Sequence, residues 1–322
     1  MCYSVAIRTL GTSGDKYTDM IRSLENQTLK PDGIYVYIAE GFPLPQRVGS
    51  EVYICCPKGM VTQRARKYEE IASEFILLCD DDILFEPDSV QKLFDGMIKQ
   101  RGDAISANVY FNNQWSFKEK VIQALFHGIY PSLSNRFAFQ VRKSAYFSYC
   151  ISPRKVMETQ CFAGACILLK KSTFKAVSLQ DEVWMDMTGY PLGEDLLFAY
   201  KLYRYGFRVL VHSCCGIVHQ DAQSSHESDK RQDYLKSGII RYLIWHRAIY
   251  STSRSLVEKI RASFGFYSRW VFRFFLSAIS FCLGRNKTSC IDSITALKSA
   301  KSFTKSQEYR QIPRWEISRK YE

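Results

Sequence analysis

The chain has 322 residues, of which 46% are hydrophobic and 24% charged, with a net charge of +12. That length holds one large domain or two ordinary ones, and the composition is that of a packed globular protein, which excludes a disordered chain. From Lys230 onward Lys and Arg clearly outnumber Asp and Glu, while the balance before it is milder. The C-terminal part is therefore the part suited to anionic surfaces, either phospholipid headgroups or nucleic-acid phosphates.

Residues 1–10 lack a basic segment followed by a long apolar run, so they read as a strand and not as a signal peptide. Further short apolar runs predict strands over residues 33–39, 51–55, 74–79, 104–110, 164–169 and 207–211, with the first strand at 4–10. Between the first five lie segments of helical period, including 17–27, 61–72 and 89–99, the last capped by Asp88 after Pro87. This rhythm predicts an α/β fold with a mainly parallel sheet and helices on both faces. Residues 118–148, aromatic and carrying Pro131 and Asn135, read as a helix followed by irregular loop. Eleven cysteines are spread along the chain. With no CxxC among them they read as buried, reduced thiols.

The last hundred residues differ. Residues 233–250 and 255–283 predict helices dense in Trp, Tyr, Phe and Arg. The run 269–284 (RWVFRFFLSAISFCLG) is apolar on nearly all sides, yet shorter than the roughly 20 residues a spanning helix needs. Arg269, Arg273 and Arg285 interrupt or bound it. Two readings fit it: an interfacial helix with aromatics in the headgroup layer, or a core helix packed on the rest of the fold. Its basic surroundings favour membrane contact.

The sharpest chemical signal is Asp80-Asp81-Asp82, directly after the apolar strand 74–79 (EFILLC). In open α/β sheets ligands bind beyond the carboxyl ends of strands. Three adjacent carboxylates repel one another unless a cation is present. In an extended segment Asp80 and Asp82 point to one side and Asp81 to the other, so the outer two form a hard-oxygen site for Mg²⁺ or Mn²⁺. An acidic turn capping a helix is the bland alternative, but a single Asp does that job.

At this point the residues resemble a family. Residues 61–82 (VTQRARKYEEIASEFILLCDDD) are similar to the central signature of family 2 glycosyltransferases, of the bacterial surface-polysaccharide type. In that family an Arg-bearing helix leads into an apolar strand ending in a DxD motif. Residues 4–10 (SVAIRTL) resemble the family's first strand, with Arg8 where a Pro is usual. Residues 35–41 (YVYIAEG) resemble the strand whose terminal acid, here Glu40, accepts a hydrogen bond from the base. Residues 161–169 (CFAGACILL) are similar to the small-residue segment that borders the donor sugar. Gly193-Glu194-Asp195 opens a helix over 196–205 and resembles the family's ED motif, which carries the general base; an acid there is also an ordinary helix cap. His219, in residues 216–221 (GIVHQD), stands where related enzymes have a metal- or diphosphate-holding histidine, and it also reads as a surface histidine beside Asp221.

The resemblance covers roughly residues 1–225 and implies the GT-A fold, a Rossmann-like mixed sheet, over that span, with a basic helical region at 226–322. It implies an inverting transfer from a nucleotide-sugar donor, expected to be UDP-linked, to a saccharide or lipid-linked saccharide. The implied donor nucleotide site is Thr9, Glu40, Arg64, Asp80 and Asp81. Gly164, Ala165 and Trp184 are expected at the donor sugar or acceptor, Asp80, Asp82 and His219 at the metal, and Asp195 with Glu194 at the catalytic centre. The expected location is the cytoplasm, peripheral at the inner face of the cell membrane, with no nucleic-acid partner.

Other classes compete. A sugar nucleotidyltransferase also combines a nucleotide, a metal and an α/β sheet, but residues 11–16 lack its Arg-rich loop. An aspartate-dependent phosphatase carries its acids after the first strand, and here they follow the fourth. A nucleic-acid-binding protein explains the charge and leaves three acids repelling phosphate.

Overall fold

The computed structural model describes residues 2–109, 116–189, 191–220, 230–283 and 289–318. The first half alternates β1 (Tyr3–Thr9), α1 (Asp15–Glu25), β2 (Gly33–Ala39), β3 (Val52–Cys56), α2 (Met60–Arg64), β4 (Phe75–Asp80), β5 (Ile83–Phe85), α3 (Ser89–Lys99) and β6 (Ala104–Ala107). Next come α4 (Phe117–Ile122), which runs into a π-helical turn at Gln123–His127, then β7 (Tyr130–Ser132), β8 (Phe139–Val141), β9 (Phe147–Cys150) and β10 (Val156–Glu158). These are followed by β11 (Cys166–Lys170), α5 (Lys171–Val177), a 3-10 segment (Leu179–Thr188), α6 (Glu194–Arg204), β12 (Val209–His212) and β13 (Ile217–His219). The C-terminal part is helical: α7 (Lys230–Trp245) with a π-helical end (His246–Tyr250), α8 (Leu256–Cys282), α9 (Ser289–Phe303) and α10 (Gln307–Gln311).

Eight strands form one sheet in the order β10-β12-β6-β11-β4-β1-β2-β3. The run β4-β1-β2-β3 is parallel, as is β6 with β12, whereas β11 lies antiparallel between β4 and β6, and β10 antiparallel on β12. The sheet is thus mixed.

Period-2 alternation explains how it is buried. Ala6, Ile76, Leu78, Ile167 and Leu169 face one apolar cluster, and Val5, Ile7, Leu77, Cys79 and Leu168 face another. On the second face α1 presents Tyr17, Met20, Ile21 and Leu24, a stripe at helical spacing, beside Val90, Leu93, Phe94 and Met97 of α3. Removing one such side chain, as in Leu24→Ala, costs about 2–5 kcal/mol. On the first face lie α6 and C-terminal residues such as Trp245, Phe266 and Tyr309. The expected boundary at 225/226 falls outside the described residues.

Several expectations shift. The helix expected over 61–72 ends at Arg64, because Tyr68 takes a left-handed φ of 51° and its hydroxyl donates to the Arg64 carbonyl at 2.9 Å. Its ring is then buried edge-on against Tyr37 and Phe174, a tertiary contact that outweighs helical propensity. The loop expected within 118–148 contains a three-stranded sheet, β7-β9-β8. The strand expected to run to Tyr110 is described to Ala107, and Tyr110 lies outside the described residues. All eleven cysteines are free, and the expectation of burial holds for six of them; Cys2, Cys55, Cys214 and Cys282 are exposed.

The described part of the 269–284 run is packed inward on one side and exposed on the other. Arg269 packs inward, and its Nη2 donates to the Leu125 carbonyl at 2.7 Å, while Val271, Phe275 and Ile279 face outward. Gly284 and Arg285 lie outside the described residues. Among the described residues no helix is long and apolar enough to cross a membrane.

Candidate active site

The candidate site forms at the carboxyl ends of β1 and β4. Arg8 and Asp80 are partners in the parallel register of these strands, so their side chains emerge on the same face. Arg8 Nε donates to Asp80 Oδ1 at 2.6 Å, and Arg64 Nη2 reaches the same oxygen at 2.9 Å from the end of α2. Glu194, the first residue of α6, accepts from Arg8 Nη1 and from Arg64 Nη1, both at 2.8 Å. Two guanidinium groups therefore hold two carboxylates in one cluster, with Arg64 and Glu194 buried and Arg8 and Asp80 half-buried. Burial alone would raise the Asp80 carboxyl; the charges of Arg8 and Arg64 outweigh it and hold it below the usual range.

Arg64 also donates to the Gly164 carbonyl at 2.8 Å. Asp195 comes to the other side of the same peptide segment, accepting from the Gly164 N–H at 3.2 Å and from the Leu196 N–H at 2.7 Å. A Cβ at Gly164 would lie 2.7 Å from the Asp195 Cβ and 2.8 Å from Arg64 Nη1, so only glycine permits this approach. Burial, and secondly the charge of Glu194, push the Asp195 carboxyl up to about 6, against the pull of its two backbone donors. A carboxyl poised there is half-ionised at about pH 6 and mostly ionised near neutral pH, as a general base should be.

The three acids part company. β4 ends at Asp80, and Asp81 and Asp82 form the turn into β5, so the extended backbone that would set Asp80 and Asp82 side by side is absent. Asp81 turns toward β1, where the Thr9 hydroxyl donates to its Oδ2 and itself accepts from the Gly11 N–H. Burial raises the Asp81 carboxyl. Asp82 Oδ1 lies 3.1 Å from His219 Nε2, brought there by the antiparallel pairing of β5 with β13. Among the described residues no three His, Cys, Asp or Glu side chains converge as a complete metal cage.

The remaining expected residues divide. Glu40 is exposed just beyond β2, whose neighbour is β1. Ala165 is buried, and its carbonyl accepts from the Asp80 N–H at 2.9 Å. Trp184, expected at the sugar or acceptor, does not join the cluster. It lies in the 3-10 segment with its indole N–H on Glu182 Oε2 at 2.9 Å and its ring against Phe303 and Tyr309. That contact with the C-terminal helices has no local sequence signature.

Three residues that the sequence reading passed over support the site. Gln63, buried, donates to the carbonyls of Thr9 and Tyr37 at 3.0 and 3.1 Å and so ties α2 to the ends of β1 and β2. Asp186 caps the start of α2: its carboxylate accepts from the Val61 N–H at 3.0 Å and from the Thr62 N–H at 2.8 Å. Glu182 is fully buried and accepts from Lys201, Arg247 and Trp315, each at 2.9 Å, joining α6, the end of α7 and the chain's last described segment. The DDD run and the ED pair were visible as clusters of like charge. A lone Asp or Glu inside an aromatic run gave no such signal.

No family model matches the chain, and no curated protein matches it. Solved structures do. The S. aureus TarS 1–349 structure in complex with UDP-GlcNAc aligns at a TM-score of 0.53 and 13% identity, over 97% of this chain and 82% of that one. Mannosyltransferase PcManGT from Pyrobaculum calidifontis, in complex with GDP-Man and Mn2+, aligns at 0.51 and 9% identity, over 96% and 77%. At such identities the likeness speaks for the fold. The chain has the GT-A α/β fold, with a helical C-terminal region.

Proposed function

We propose that this protein is an inverting glycosyltransferase that moves a sugar from a nucleotide-sugar donor to a hydroxyl of a saccharide or lipid-linked saccharide. The observation that carries the reading is Asp195. Its half-buried carboxyl, raised to about 6, sits at the start of α6 one residue from the Glu194 that is clamped by Arg8 and Arg64. The bound nucleotide sugars and Mn2+ of the fold's relatives support the same reading.

Asp195 takes the proton from the acceptor hydroxyl as its oxygen attacks the anomeric carbon, while the bond to the nucleoside diphosphate breaks on the opposite side. One displacement inverts the anomeric centre. Thr9, Glu40 and Asp81, at the ends of β1, β2 and β4, are the proposed contacts to base and ribose. Arg64 supplies positive charge beside the diphosphate, and Asp80 keeps that guanidinium in place. Gly164 and Ala165 line the donor sugar.

Asp82 and His219 offer one hard oxygen and one imidazole nitrogen, a pair suited to Mg²⁺ or Mn²⁺ that takes its other ligands from water and phosphate. Such a cation, when bound, neutralises charge developing on the leaving diphosphate. We assign residues 1–225 to the catalytic domain and 226–322 to a basic helical region that rests on the inner face of the cell membrane. The outward apolar residues of α8 support that contact.

The test is calorimetric titration with UDP, GDP and dTDP, with and without Mn²⁺, on the wild type and on Asp81→Asn/Asp82→Asn. Metal-dependent binding of one nucleotide, lost in the variant, is the expected result and names the donor class. No binding of any nucleotide with metal present would sink the proposal.

A further inference from the structure

Two adjoining cavities lie apart from the acids of residues 80–82. The inner one, of about 40 Å³, is lined by Arg241 of α7 and by Arg269 and Arg273 of α8, around Tyr146. The outer groove, of about 720 Å³, shares Arg269 and adds Arg142, Lys143 and Phe272. Among the described residues five cations thus face the two spaces, and neither wall contains an Asp or a Glu.

The three arginines are held by neutral groups. Arg241 Nη1 donates to the Ala145 carbonyl at 3.0 Å, Arg273 Nη1 to the Tyr146 hydroxyl at 2.8 Å, and Arg269 Nη2 to the Leu125 carbonyl. Arg269 is 8% exposed, and its buried Nε has no hydrogen-bond partner among the described residues. The Arg241 and Arg269 guanidinium carbons lie 4.5 and 5.4 Å from the centre of the Tyr146 ring. Burial would raise the Tyr146 hydroxyl, but Arg273, Arg241 and Arg269 outweigh it and hold it below its ordinary range. Like charges brought together under aromatic cover repel and are costly without a counter-charge, and guanidinium forks match the oxygens of phosphate.

The position matters as much as the charge. Arg241 lies one turn before Ile244, whose Cδ1 would be 3.1 Å from a side chain added at Gly193, the residue that opens the Glu194–Asp195 segment. The cavities therefore begin on the helix that packs against the segment carrying the proposed general base, and Arg241 feels the charge of Asp195. At the other end, Phe272 borders the exposed stripe of α8 formed by Ile260, Phe264, Val271, Phe275 and Ile279. The outward row is aliphatic and aromatic, the chemistry of an acyl or prenyl chain at a membrane surface, while the cations are recessed behind it.

We propose that Arg241, Arg269 and Arg273 bind the phosphate or diphosphate of a lipid-borne acceptor, with its hydrocarbon along the exposed face of α8. This rests on the glycosyltransferase reading and deepens it on the acceptor side. The site orients the acceptor by its anionic group and leaves the hydroxyl end to Asp195.

The experiment is co-flotation with phosphatidylcholine vesicles that carry a few per cent of either a polyprenyl diphosphate or phosphatidylglycerol at matched surface charge. Nucleotide titration is run on the same preparations. Wild type should be retained about tenfold better by the polyprenyl diphosphate vesicles, the worth of one or two charge-assisted hydrogen bonds, and inorganic pyrophosphate should compete. Arg241→Gln/Arg273→Gln should abolish the preference and keep nucleotide binding. Arg142→Gln/Lys143→Gln alters only exposed side chains and should reduce the preference, which keeps the test open if the first variant fails to fold. Equal retention on both anionic vesicles overturns the proposal, as does an unchanged preference in both variants. Tighter binding of single-stranded DNA than of the doped vesicles overturns it in favour of a polymeric phosphate. Failure of the wild type to bind any nucleotide would instead overturn the transferase reading, whichever vesicle is preferred.

Discussion

Arg64 donates to Glu194 at 2.8 Å across 130 residues of sequence. The bond fixes the end of α2 against the start of α6, and the same guanidinium reaches Asp80 and Gly164. Arg64→Ala leaves the two carboxylates with Arg8 alone and should cost about 3–5 kcal/mol of stability, the range for breaking a buried ion pair. Arg64→Lys keeps the charge but not the fork, so its thermal midpoint should fall between those of Arg64→Ala and the wild type. A melting series in one buffer decides it; equal midpoints would show the cluster to be slack.

Asp195→Asn should lower kcat by roughly 100- to 10,000-fold with nucleotide affinity intact. In the wild type, kcat/KM should rise with pH through about 6 as the carboxylate forms. A profile flat from roughly pH 5 to 8 would remove Asp195 from the role.

The same group gives a stability prediction of definite sign. Its carboxyl rises from 3.8 to about 6 on folding, so the folded state holds the proton more tightly. That contribution is complete below pH 3.8 and is lost as pH rises through about 6. Asp195→Asn, which cannot ionise, should therefore gain on the wild type as pH rises through this window, by about 3 kcal/mol at most. Urea unfolding of both proteins at pH 4.5 and pH 7.5, two pH values chosen roughly to bracket the window, reads the difference.

Glu182 should be the structural counterpart. Burial would raise its carboxyl, but Arg247 and Lys201 hold it below its ordinary value of 4.5, so its stabilising contribution is present above that pH and lost as pH falls. Glu182→Gln leaves two cations short of a counter-charge and should cost about 3 kcal/mol. Trp315→Phe removes one donor to Glu182 and should cost about 1 kcal/mol. If neither change moves the urea midpoint, the last described segment is not anchored through Glu182.

If Asp82 and His219 hold the cation, His219→Ala should raise the Mn²⁺ concentration giving half-maximal nucleotide binding by about tenfold, the size of losing one ligand contact. Nucleotide binding measured across a Mn²⁺ series tests this, and an unshifted curve would remove His219 from the metal.

Much of this was legible in the sequence because like charges at a strand end are unusual. Asp80, Asp81, Asp82, Glu194 and Asp195 stood out, and the structure gathers Asp80, Glu194 and Asp195 around Arg64 and Gly164. The alternation of strands and helices was legible too, since period 2 and period 3.6 are local properties. The short strands β5, β7, β8, β9, β10 and β13 were not, because three- and four-residue pairings carry too little pattern.

The sequence by itself determined the α/β rhythm, the apolar faces of α1 and α3, and the position of the acids at the end of β4. Tertiary structure alone decided which way each acid turns. The strand ends at Asp80, so Asp80 follows the sheet to Arg8 and Arg64, Asp81 follows the turn to Thr9, and Asp82 meets His219. It also decided that Trp184 serves the C-terminal helices, and that Arg241, Arg269 and Arg273 share one pocket. The physical reason is range: backbone periodicity is set by neighbours a few residues away, whereas these contacts depend on packing between segments far apart in the chain.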